Sequence, residues 1–173
     1  MTWTTFRNRG EILRAVIATA DDRRDATLPM DVDGVAETFG DELTLLGALQ
    51  LRWHTRLAGQ IERELLAQPM ELEDAVVAAW HATADELPGV RAVLDRQRTD
   101  PSTPATAEAT AKATTKEHLL LAMMAGRVST PDAAGVRVGA EIEDRARATY
   151  RPAAVPVEAP HGLLSRLKAV VAA

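Results

Sequence analysis

The sequence predicts an all-α protein: an up-and-down helical bundle of about five helices with a short tethered C-terminal amphipathic helix. Three observations predict it. Apolar residues recur every three or four positions over long stretches. Prolines at positions 69, 88, 101, 104 and 131 punctuate those stretches. No segment shows the alternation of a strand, and no internal repeat is visible.

The first helix is expected over Thr5 to Ala20, with Leu13, Val16, Ile17 and Ala20 on one stripe. Asp21 to Asp33 is polar, contains Pro29, and reads as a loop. Asp33 is the expected N-cap of a short turn through Phe39. Asp41 to Ala67 is the strongest element. Leu46, Leu49, Trp53, Leu57, Ile61 and Leu65 share one side, and Leu51 widens the apolar arc to roughly 200°. So broad an arc predicts a central helix packed against at least two others. Arg52, Arg56 and Arg63 cluster beside it.

Gln68-Pro69 ends that helix, and Glu71 to Ala84 resumes with Leu72, Val76, Ala79 and Trp80 inward. Pro88 lacks an N–H and clashes with a preceding turn, so a break is expected there. A second short helix then runs from Pro88 to Gln97. Arg98 to Thr106 reads as a linker. Glu108 to Arg127 follows, weakly amphipathic at first and then apolar on all sides from Leu119, which predicts full burial. Thr130 is the expected cap of the next helix, with Pro131 in its first position and Asp132 favouring its positive end. That helix should reach about Tyr150, with Val138, Ile142 and Ala146 inward.

Three segments result: a bundle over residues 1–150, a tether over 151–160 with three prolines, and a C-terminal helix over 161–173. The last helix carries Leu163, Leu164, Leu167, Val170 and Val171 on one face. At about ten residues it needs a docking surface to be stable. That surface is its own bundle, a sister subunit or another protein. The layout resembles the tail of encapsulated cargo proteins, though the typical Gly-Ser-Leu element has no match here.

Composition narrows the function classes. No apolar run approaches the roughly 18 residues of a membrane span, and Met1 to Arg9 has no signal-like core. A cytoplasmic location is the expectation. Cysteine is absent, so disulfides, thiol nucleophiles and thiolate metal sites are excluded. A net charge of −5 and a pI near 5.4 argue against nucleic acid as the main partner. The 32 alanines and the ratio of 17 arginines to 3 lysines match the codon bias of a GC-rich bacterial genome.

Histidines are the candidate site residues. His54 falls inside the apolar arc with Gln50 one turn back, and a carboxylate partner would have to come from another helix. His118 opens the apolar run. Its neighbour Glu117 points about 100° away, so the two cannot chelate one ion together. His81 shares a face with Asp85 and Asp74, on the polar side of its helix, where a surface charge pair is expected. His54, His118 and His81 together would make a divalent-metal site if they converged. Arg7, Arg9, Arg14, Arg23 and Arg24 form a modest basic region, expected to be a solvated face.

Two bundle families bear on these residues. The Glu-x-x-His pattern of ferritin-like carboxylate proteins occurs only at Glu158 to His161, in the tether, so that pattern fails. In helix count and in placing a histidine, His54, on the second long helix, the chain resembles DinB-like bundles. That family's later histidine pair has no match, because His118 is followed at i+4 by Ala122.

The expected function is a non-enzymatic interaction or scaffold protein, self-associating or binding a protein partner through the C-terminal helix. The alternative is a bundle that binds a divalent metal or small ligand through His54, with His118 or His81.

Overall fold

The computed structural model describes residues 3–152, and within them the chain is helical throughout its regular structure. Leu163, Leu164, Leu167, Val170 and Val171, the expected docking face, lie outside the described residues, as does most of the tether. The helices are α1 (Trp3–Arg23), α2 (Val35–Phe39), α3 (Glu42–Ala67), α4 (Leu72–Glu86), α5 (Pro88–Thr99), α6 (Pro104–Met124) and α7 (Ala133–Thr149). Counting α4 and α5 as one broken helix and setting aside the five-residue α2 gives the expected five main helices.

Helix α3 is the hub, touching α1, α2, α4, α5 and α6. Its start is set by Asp41, whose carboxylate accepts the Thr44 N–H at 2.7 Å. A cap of this type is worth about 1 kcal/mol. Leu45, Leu46, Leu49, Trp53, Leu57 and Ile61 are all buried along it. Leu51 is not: it is 68% exposed, so the arc is narrower than expected. Trp53 meets Trp80 of α4 edge-on at 5.9 Å, and Tyr150 meets the far side of Trp80 at 5.8 Å. These three rings form one aromatic cluster in a core that is otherwise aliphatic apart from Phe39.

Two glycines let helices approach closely. A Cβ on Gly89 would lie 2.2 Å from the Ala20 carbonyl, and Asp21 accepts the Gly89 N–H at 2.7 Å. This contact locks α1 to the start of α5. A Cβ on Gly139 would lie 1.9 Å from the His118 carbonyl oxygen, so the α7 backbone presses directly on α6.

Several expected boundaries shift. Helix α1 runs on to Arg23, shortening the loop expected from Asp21. Helix α2 starts after Gly34, and no side chain caps it, so Asp33 is not its cap. Helix α6 starts at Pro104 because Thr103 and Thr106 form a reciprocal capping box, which shortens the linker expected to reach Thr106. Helix α7 is capped by Asp132, which accepts the Gly135 N–H at 2.9 Å, rather than by Thr130. The Thr130 hydroxyl instead donates to Asp132 at 3.2 Å. A charged carboxylate gains from the helix dipole as well as the hydrogen bond, and the hydroxyl does not. Full burial after Leu119 also fails, since Met123 is 44% exposed.

Candidate functional site

The α5, α6 and α7 helices carry a ladder of charges through the bundle. Glu117 and His118 of α6 are both buried and face different neighbours. Glu117 takes Arg91 of α5 at 3.4 Å. Arg91 also pairs with Asp95 one turn on, at 2.8 Å, and lies 4.7 Å over the Trp53 ring. Asp95 is gripped by both terminal nitrogens of Arg147 from α7, at 2.6 and 3.1 Å. Arg147 reaches Glu143 on its own helix at 2.6 Å and sits 5.3 Å over Trp80. Glu143 then accepts from Arg98 at 2.9 Å and from His118 Nε2 at 2.7 Å.

Three carboxylates (Glu117, Asp95, Glu143) therefore face three guanidiniums (Arg91, Arg147, Arg98). Burial alone pushes the Glu143 carboxyl up. The His118 bond and the Arg147 and Arg98 guanidiniums outweigh it and hold the group far below its ordinary range. Burial likewise disfavours charged Arg147, and Asp95 and Glu143 together reverse that. Glu143 is 1% exposed and was not foreseen from the sequence. Its signal was present: Gly139 and Ala146 flank it by one turn each, making a narrow inward face on α7.

One end of this ladder opens into a cleft between α3, α5 and α6. Gln50, Trp53, His54, Arg91, Leu94, Thr110, Ala113, Thr114 and Glu117 line it. Its volume is about 20 Å³, enough for one water-sized group. Three buried nitrogens of these residues have no hydrogen-bond partner among the described residues: Trp53 Nε1, His54 Nε2 and Arg91 Nε. Burial pushes the His54 imidazole below its ordinary value; Glu117 opposes this, and Lys116 and Arg91 add to it. Burial thus favours the neutral imidazole. Gln50 Nε2 has only a 3.5 Å contact with Thr110 Oγ1.

Beside the cleft runs a groove between α3 and α6 of about 260 Å³, with Gln50, His54 and Ala113 common to both. Gly47, Leu51, Ala109, Lys112 and Lys116 complete its walls. The alanines and threonines in the first half of α6 leave this gap, because they are too short to meet α3. The low amphipathicity of that half was visible in the sequence; the gap it produces was not.

The three histidines take separate partners. His54 lines the cleft, His118 binds Glu143, and His81 Nε2 donates to the Ala146 carbonyl at 2.8 Å. Among the described residues no three His, Asp or Glu side chains group so as to hold a metal ion. The metal reading through His54, His118 and His81 thus finds no shared site there. On the face with His81, Asp85 and Asp74 the surface charge pair is Asp74 with Arg145 of α7, and His81 takes no part in it. Asp74 binds Arg145 at 2.5 Å and Asp85 accepts from Tyr150 at 2.8 Å, so all three engage α7 or the residue after it. Arg9 lies 4.5 Å over Phe39 and Arg23 pairs with Asp31, so two members of the basic region have intramolecular roles.

No family model, curated protein or solved structure matches this chain. The resemblance to DinB-like bundles accordingly rests on helix count and the position of His54 alone. No described helix is long and apolar enough to cross a membrane.

Proposed function

We propose that this protein is a binding module that holds a small organic ligand in the groove between α3 and α6, with one polar atom of the ligand in the cleft at His54. The observation that carries this reading is that three residues lining one cleft, Trp53, His54 and Arg91, each carry a buried nitrogen without a hydrogen-bond partner among the described residues. Leaving a buried polar group unsatisfied costs about 1–3 kcal/mol. A ligand atom that bonds to these nitrogens recovers that cost; Trp80 Nε1, buried and unpartnered in the core, lies outside the cleft.

Ligand-observed NMR of the full chain against a fragment library tests the proposal. Hits should perturb the His54 ring signals and lose binding in Ala113→Leu, which fills the cleft wall without altering charge. Hits that leave His54 untouched and survive that substitution would overturn it.

A second reading, docking of residues 161–173 on their own bundle, is favoured by a different groove. It lies between α1 and α3, measures about 440 Å³, and includes Leu13, Ala48 and Leu51. The apolar residues Leu163, Leu164, Leu167, Val170 and Val171 match its Leu13, Ala48 and Leu51, while Arg9, Thr44, Arg52 and Thr55 form the polar part of its wall. Deleting 160–173 should raise hydrogen exchange in α1 and α3 at constant mass by light scattering. A mass change instead would favour docking on a sister subunit.

A further inference from the structure

We infer that the ligand is a short-chain monocarboxylate, with one carboxylate oxygen in the cleft beside Trp53 and Arg91 and its alkyl chain along the α3–α6 groove toward Leu51. This rests on the binding reading above and adds the ligand's chemistry to it.

The head follows from donor inventory. An indole N–H and a guanidinium Nε–H donate and cannot accept. Both belong to residues that line the cleft, and neither is met by the acceptors of Gln50, Thr110, Thr114 or Glu117 beside them, so an acceptor is the group that complements them. His54 Nε2 serves either way, donating if protonated. The cleft's size of about 20 Å³ admits a single carboxylate oxygen more readily than a tetrahedral phosphate.

The charge follows from the neighbours. Glu117 and Lys116 on α6 and Arg91 on α5 are the charged groups acting on His54 of α3. Arg91 is already balanced within the ladder by Asp95 and Glu117. Lys112 in the groove is balanced by Glu108 at 2.6 Å. Lys116 has no ion pair among the described residues, and it leaves one positive charge over the groove. One surplus cation suits a monoanion and not a dianion or a cation.

The tail follows from the groove's lining. Gly47, Leu51, Ala109 and Ala113 present small or apolar surface in continuity with the cleft. Leu51 stands 68% exposed there, which an alkyl chain would cover. A carboxylate beside neutral His54 also draws a proton onto the imidazole, since an adjacent anion favours the charged form. Binding should therefore tighten as the pH falls from 8 to 6.

Hexanoate is the probe, titrated into the full chain and followed by the indole N–H and imidazole signals in NMR. Trp53→Phe assigns the Trp53 indole signal. Hexanoate should bind saturably and move the Trp53 and His54 signals. Acetate and hexanamide should bind about tenfold more weakly or worse, hexylamine should not bind, and Ala113→Leu should lose about tenfold at unchanged helicity. Hexanamide binding as tightly as hexanoate, or hexanoate binding without moving the Trp53 indole, would overturn the carboxylate assignment. If hexanoate fails while other fragments bind at His54, this inference falls and the binding reading stands. If no fragment reaches His54, both fall.

Discussion

Replacing Glu143 by alanine removes the acceptor at the centre of the ladder. Glu143 is 1% exposed and accepts from His118 at 2.7 Å, from Arg98 at 2.9 Å and from Arg147 at 2.6 Å. Breaking a buried ion pair from one side typically costs about 3–5 kcal/mol, because the remaining charges stay uncompensated. Two features here favour the lower end. Arg147 keeps both bonds to Asp95, and Arg98 is over a third exposed and can turn to water. The expected loss is therefore about 3 kcal/mol. At about 2–4 °C per kcal/mol for a chain of this size, Tm should fall by about 6–12 °C. Urea unfolding followed by circular dichroism at pH 7 measures this through the midpoint, with the slope unchanged. The pH dependence has a definite sign. The folded-state pKa of Glu143 is depressed, so its contribution is complete above the ordinary value of 4.5 and is lost as pH falls toward the folded value. The gap between wild type and Glu143→Ala should hold steady from pH 7 to about 5 and shrink below that. A loss within about 0.5 kcal/mol of wild type, as for a surface substitution, would refute the ladder's energetic role.

Two glycines in helix interiors should respond oppositely to alanine. At Gly139 the new methyl would strike the His118 backbone, so a loss of about 2 kcal/mol or more is expected. At Gly59 nothing lies within 4 Å, so Gly59→Ala should gain up to about 1 kcal/mol from helix propensity. The same urea series distinguishes them. Tyr150 is the sole tyrosine, and burial and its bond to Asp85 push its phenol up to about 12. Its absorbance titration at alkaline pH should therefore show a midpoint near 12 in the folded protein and near the ordinary value of 10 in urea.

What was legible in the sequence was whatever one helix decides by itself. The buried stripe from Leu46 to Ile61, the break at Pro88 and the inward tryptophans all follow from spacing and backbone chemistry. The sequence also indicated that Glu117 and His118 must serve different neighbours, and they do. What escaped depended on other helices. Glu143 is buried only because arginines from α5 and α7 and a histidine from α6 meet it. His81 was placed on a solvated face because the stripe opposite it looked like the single inward side, yet α4 packs on α3 and α7 both. Leu51 was placed inward because nothing in its own helix reveals that the facing half of α6 is built from alanine and threonine.

The ladder has a geometric consequence. Among the described residues α5 and α7 are not backbone neighbours, yet Arg98 of α5 reaches Glu143 and Arg147 of α7 reaches Asp95. These two helices are thus joined by arginine side chains, while their backbones pack on α4 and α6. Lysine at 147 keeps the charge but forfeits the two-pronged grip on Asp95. The arginine-rich composition, which first reads as genomic bias, therefore also supplies the side chains that tie α5 to α7 across the gap between their backbones.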